Sequence, residues 1–104
     1  MGKRVLCLLA PGFEEIETVT PIDLLRRAGA EVVVASVNGD RLLQGRSQLT
    51  LQADASLADV ANEEFDLLLV PGGPGVKALR TDGRPARLAE AFHESGKFVA
   101  AICA

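Results

Sequence analysis

Asp66-Leu67-Leu68-Leu69-Val70 followed by Pro71-Gly72-Gly73-Pro74-Gly75 reads as a buried strand that empties into a glycine turn. Its apolar run is continuous and not alternating, as in a parallel strand covered by helices on both faces. Working outward, the same unit recurs. Residues 3–10 carry Val5-Leu6-Cys7-Leu8-Leu9 and stop at Pro11-Gly12, residues 31–37 read EVVVASV, and residues 98–102 read FVAAI. Helix-like stretches separate these runs, with Gly, Pro or Asp at each junction. That alternation predicts β-α-β units around a mostly parallel sheet, an α/β fold.

Between the strands, a helix is predicted over residues 14–28, with Ile16, Val19, Ile22, Leu25 and Ala28 on its inner face and Gly29 as its stop. Pro21 has no N–H for the carbonyl of Glu17, so the helix is expected to kink or start irregularly there; the other arrangement is a shorter helix beginning at Pro21 and capped by Thr20. Residues 41–44 and 48–52 flank Gly45-Arg46-Ser47 and are expected to form a small antiparallel hairpin added to the parallel sheet. Ser56-Leu57-Ala58-Asp59 opens a short helix with capping-box character. Two further helices are predicted, over residues 76–80 and 85–95, the second with Leu88 and Phe92 inward and Gly96 closing it.

A length of 104 residues holds one domain at most. Eleven basic against fourteen acidic residues, spread without runs, offer no phosphate-seeking stripe, so nucleic acid is not an expected partner. No apolar stretch approaches the roughly 20 residues of a bilayer span, and Met1-Gly2-Lys3-Arg4 leads into a strand without a cleavage site. No membrane segment is expected, and the expected location is cytoplasmic. Two widely separated cysteines make neither a disulfide framework nor a zinc pattern, and no metal is expected. Few helices follow the last strand to cover the sheet, so the chain is expected to be an incomplete domain.

Ligands of open α/β sheets sit at the carboxyl ends of the strands. There the sequence delivers Glu14, Glu15 and Glu17 after the first strand, Gly72-Gly73 after the DLLLV strand and Cys103 after the last. Cys103 follows small residues that allow a sharp turn, which suits an exposed nucleophile and equally a buried structural thiol. Of the acidic cluster, two members are explained by the helix dipole; Glu17, at the expected kink, is the one expected to point inward. A carboxyl next to a thiolate must be protonated, and it could then donate to sulfur or shuttle a proton α to a carbonyl. Gly72 and Gly73 could offer backbone N–H groups to an oxyanion or ligand. Residues 73–78 also match the glycine spacing of a dinucleotide turn, but Pro74 stiffens it and no acidic residue ends the next strand. Cys7 reads as buried and structural, His93 as a surface residue at a helix end, and Arg26-Arg27 as charge-pairing or contact residues.

Taken together, residues 10–18 (APGFEEIET), 21–29 (PIDLLRRAG), 53–57 (ADASL), 69–73 (LVPGG) and 100–104 (AAICA) resemble the ThiJ/PfpI superfamily, in the branch of the parkinsonism-associated protein deglycase and its bacterial relatives. The resemblance implies a flavodoxin-like, Rossmann-like three-layer sandwich, usually dimeric, with the first helix and the neighbouring hairpin near the two-fold contact. It makes Cys103 the nucleophilic, oxidation-sensitive cysteine, Glu17 its protonated partner, and the N–H groups of Gly73 and Ala104 the oxyanion-binding pair. No cofactor is implied. The implied activity is glutathione-independent conversion of methylglyoxal-type 2-oxoaldehydes, or deglycation of their adducts. The alternatives are an oxidative-stress sensor or chaperone using Cys103 sulfinate, and an amidotransferase-like or peptidase-like relative. Residues 1–104 are then the N-terminal portion of one such domain, ending at the nucleophile elbow, with a C-terminal half as expected partner.

Overall fold

Val5-Leu6-Cys7-Leu8-Leu9 forms the middle of the sheet. In the computed structural model, which describes residues 2–102, this run is strand β1 (Arg4–Leu9), and every side chain from Val5 to Leu9 is buried. Successive side chains leave a strand on opposite faces. Val5, Cys7 and Leu9 therefore join one apolar cluster, with Phe13, Ile22, Val34, Leu43 and Leu69. Leu6 and Leu8 join the other, with Ala35, Leu57, Phe65, Leu68 and Phe92. A run apolar at every position is what a strand needs when both its faces are covered.

The partners of β1 are β2 (Glu31–Ser36) and β6 (Leu67–Val70), both parallel to it. Beyond them lie β5 (Ala55–Ser56) and β7 (Phe98–Ala101), giving a five-stranded parallel sheet in the order β5-β2-β1-β6-β7. The chain moves from β1 to one side of the sheet and returns for β6 on the other, so the order reverses between β1 and β6. Helix α1 (Glu15–Arg27) lies on the face of Cys7; α2 (Leu57–Val60), α3 (Val76–Asp82) and α4 (Arg84–Glu94) contribute to the face of Leu6. Ser56 caps α2 by accepting the Asp59 N–H, as the sequence predicts.

Three expectations change. The hairpin β3 (Leu42–Gln44) and β4 (Thr50–Gln52) forms, but as a two-stranded antiparallel sheet of its own packed through Leu43 on the α1 face. Helix α1 begins at Glu15 under a Glu14 cap and runs through Pro21 as one element, so Thr20 caps nothing. Its inner face also differs: Glu15, Thr18 and Ile22 are buried, while Ile16 is 72% and Val19 41% exposed, and Ala28 faces solvent. A helix advances about 100° per residue, so Ile16 and Val19 are carried away from the stripe that Ile22 shares with Thr18 and Glu15. Apolarity placed Ile22 and Leu25 correctly and Ile16, Val19 and Ala28 wrongly.

Candidate active site

The crevice outside the strand ends at a topological switch point is where open α/β sheets bind ligands. Here that point lies between β1 and β6, and the two loops leaving these strands are stitched together by backbone hydrogen bonds. The Glu14 N–H donates to the Gly72 carbonyl (3.0 Å) and the Gly75 N–H to the Gly12 carbonyl (3.0 Å). Glycine is required for so close a crossing. A Cβ on Gly73, whose φ is +104°, would stand 2.7 Å from the Glu14 nitrogen and 2.8 Å from the Gly12 oxygen. One on Gly75 would stand 2.6 Å from the Pro11 oxygen.

Three neighbouring glutamates emerge from this crossing into the start of α1, and each does something different. Glu14 turns back on the helix, its Oε1 accepting the N–H groups of Ile16 (2.7 Å) and Glu17 (3.3 Å). That satisfies two of the donors a helix start leaves open. Glu17 is half-buried and aims at the β6 loop, where its Oε1 accepts the Gly72 N–H at 3.2 Å. The structure thus brings together two of the residues singled out from sequence, Glu17 and Gly72. The neighbouring Gly73 N–H takes no backbone partner among the described residues.

Glu15 was not foreseen as anything but a favourable charge near a helix N-terminus. Its side chain is buried, and its Oε2 accepts the N–H groups of Ser47 (2.8 Å) and Leu49 (3.2 Å) from the β3–β4 turn. Burial pushes its carboxyl up, but the backbone N–H donors, Ser47 and Leu49 among them, outweigh that and hold it below the ordinary carboxylate value. The sequence signal was there in the helical spacing of Glu15, Thr18 and Ile22; it was hidden because a glutamate does not count as a core residue.

The third strand end arrives from β7. The Ile102 N–H donates to the Val70 carbonyl at 3.0 Å, carrying the β6–β7 register past the strand's last residue. Cys103 and Ala104, expected as nucleophile and oxyanion donor, lie outside the described residues. Cys7 is fully buried, and burial pushes its thiol up to about 12, so it is a neutral core group at ordinary pH. His93 is exposed near the end of α4. Arg26 donates to the Val32 carbonyl (2.8 Å) and pairs with Asp54 (3.0 Å), and Arg27 pairs with Asp23 (3.1 Å). The charge-pairing reading of these arginines holds. Among the described residues no helix is long and apolar enough to cross a membrane, and no cluster of His, Cys, Asp and Glu side chains is arranged to hold a metal ion.

Comparison with known proteins gives one consistent result. Residues 3–104 match the DJ-1/PfpI family. Protein dj-1beta of Drosophila melanogaster is 39% identical over 100% of this chain and 56% of its own length. Protein/nucleic acid deglycase 2 of Escherichia coli is 36% identical over 99% of this chain and 60% of its own. The crystal structure of Drosophila DJ-1beta superposes with a TM-score of 0.95 over 100% of this chain and 56% of that one. The chain therefore has the flavodoxin-like fold of those structures and spans a little over half the length of the relatives it matches.

Proposed function

The chain belongs to the DJ-1/PfpI family, and on that premise we propose that the protein containing it is a cysteine-dependent, cofactor-free deglycase or glyoxalase acting on 2-oxoaldehydes or their adducts. The observation that carries this reading is the Glu17 carboxyl held against the Gly72 N–H at the switch point, with Ile102, the residue before Cys103 in the sequence, bonded to the Val70 carbonyl at the end of β6. With Oε1 occupied by that N–H, Oε2 is left to carry and move a proton. Relatives in this family are named as deglycases, which agrees with such chemistry.

In the proposed reaction the Cys103 thiol adds to the aldehyde carbon of methylglyoxal. The S–C bond forms, the carbonyl oxygen takes the proton, and a hemithioacetal results. The backbone N–H groups of Gly73 and Ala104 stabilise the developing oxyanion. Glu17 removes the hydrogen from the former aldehyde carbon and returns a proton to the neighbouring carbon, while the hydroxyl proton passes from the first oxygen to the second, leaving a thioester of lactate. Water then cleaves the C–S bond, releasing lactate and restoring the thiol, so methylglyoxal and water are consumed and no oxidant is needed. Exposed Ile16 and Val19 on α1 support a homodimer contact on that helix. Exposed Phe98 and Val99 support packing of further polypeptide, equivalent to the rest of its relatives' length, against β7.

The test is lactate formation from methylglyoxal by the full-length protein. Cys103→Ala is expected to lower kcat by a factor on the order of 10³ or more, as for other nucleophile deletions. Glu17→Gln is expected to lose turnover while the thiol still reacts with alkylating reagents. An unchanged rate in Cys103→Ala overturns the proposal.

A further inference from the structure

Glu15 occupies an expensive position. Its carboxylate is buried, only Oε2 is hydrogen-bonded, and Oε1 is buried with no partner among the described residues. Burying a charge with half its acceptors unsatisfied costs more than an apolar side chain of the same size would. The surroundings are bent around it nonetheless. A Cβ on Gly45 would collide with the Glu15 carboxylate and stand 2.9 Å from the Phe13 ring, and Gln48 adopts a left-handed φ of 72°, unusual for a residue with a side chain. A turn that accepts strain to wrap one carboxylate is shaped for holding it.

What the turn holds is the base of the candidate site. The Gly12 N–H donates to the Gln44 carbonyl (2.8 Å), the Arg46 N–H donates to the Phe13 carbonyl (2.9 Å), and Ser47 and Leu49 donate to Glu15. These bonds fasten the hairpin to the loop over residues 11–14 and to the first helical residue after it. Glu15 and Glu17 project about 200° apart around the helix axis, so one grips the hairpin while the other meets Gly72. The first turn of α1 is thereby anchored on opposite sides. With the Glu15 bonds released, the backbone bonds of Gly12, Phe13 and Glu14 still hold the loop, but the helical turn itself loses its tie on that side, and the Glu17–Gly72 side-chain contact is the one a roll of the turn opens.

We propose that Glu15 is a positioning residue: by tying the β3–β4 turn to the start of α1, it sets the placement of the Glu17 carboxyl against the Gly72 N–H. The proposal rests on the acid/base reading of Glu17 given above. The Glu15 carboxylate itself need not touch substrate. Its effect on turnover is transmitted through helix orientation, and a displacement of about 1 Å at a catalytic group costs up to about 10²-fold in rate.

The experiment compares wild type, Glu15→Gln and Gly45→Ala in the full-length protein by amide hydrogen exchange and methylglyoxal kinetics. Glu15→Gln removes the charge; Gly45→Ala keeps it but drives it out of the turn. Both are expected to speed exchange at Ser47 and Leu49 and, about tenfold or more, at Gly72. Both are also expected to lower kcat by about tenfold or more with KM within about twofold of wild type. An anchor for the hairpin alone would loosen Ser47 and Leu49 and leave Gly72 and kcat untouched, and that result overturns the proposal. Should neither variant fold, wild-type exchange in low urea decides: Ser47, Leu49 and Gly72 opening together supports the coupling, and Gly72 opening independently refutes it. Glu17→Gln is run alongside. If it retains full turnover, the acid/base reading has failed, whereas the exchange at Gly72 still reports whether Glu15 sets the contact.

Discussion

β6 and β7 are neighbours in register, Leu67 beside Phe98 and Leu68 beside Val99, and both are written in apolar residues, yet the fold treats them oppositely. Leu68 and Leu69 are 0% and 3% exposed, whereas Phe98 and Val99 are 75% and 42% exposed. The strand sequence does not decide this; the place in the sheet does. β6 has β1 on its other side and core clusters on both faces, while β7 pairs with β6 alone among the described residues. The exits differ in the same sense. The loop after β6 is crossed by the loop after β1 and has no room for a side chain at Gly73 or Gly75, and after β7 the described chain is tied at Ile102 by its bond to the Val70 carbonyl. Glu17 and Gly72 therefore meet where the two loops cross most tightly.

The contrast breaks most readily at its buried end. Leu68→Ala leaves a cavity under two packed faces and is expected to cost about 2–5 kcal/mol in urea denaturation. Phe98→Ala in the 104-residue chain is expected to cost less than about 0.5 kcal/mol, the usual range for exposed positions. Equal losses would mean that β7 is covered as thoroughly as β6. The glycines that flank the two strands give the next test. Gly73 and Gly96 both have positive φ, +104° and +76°, but a Cβ on Gly73 strikes two backbone atoms and one on Gly96 meets nothing within 4 Å. Gly96→Ala is thus expected to cost the conformational strain alone, about 1 kcal/mol, and Gly73→Ala about 1–3 kcal/mol with loss of turnover. If the two alanines cost the same, the crossing of the loops is not what fixes the site.

Much of this was legible beforehand, and the misses share a cause. Continuous apolar runs marked β1, β2, β6 and β7, and Ser56 marked the start of α2, because burial on two faces and N-capping are local demands that a sequence states directly. That Glu17 and the Gly72 loop share one crevice was legible too, since both sit at the ends of strands that a parallel sheet places together, but the hydrogen bond between them was not. The face of α1 was not. Ile16 and Val19 look like core and are exposed, and Glu15 and Thr18 look like surface and are buried, since the hairpin and not the sheet decides what the first turn of that helix meets. The two-residue β5 escaped because it exists through a contact made twenty residues along the chain, Ala35 with Ala55, and leaves no periodicity of its own; the hairpin was legible, but not that it stands as a sheet of its own.

The last test concerns β1, the other flank of β6. Cys7 keeps its proton in the folded protein up to about pH 12, because burial disfavours the thiolate, whereas the unfolded chain gives it up near the ordinary value of 9.0. Between those values the unfolded state binds fewer protons, so stability falls as pH rises. The contribution is fully present below pH 9 and is lost toward pH 12, at up to about 1.4 kcal/mol per pH unit. Urea denaturation at pH 8, 9 and 10 measures it directly. Wild type is expected to hold level to about pH 9 and then decline, while Cys7→Val, which fills the same space without a titrating group, flattens the slope. A slope identical in wild type and Cys7→Val would assign the whole decline to other groups and remove the raised Cys7 thiol as its cause.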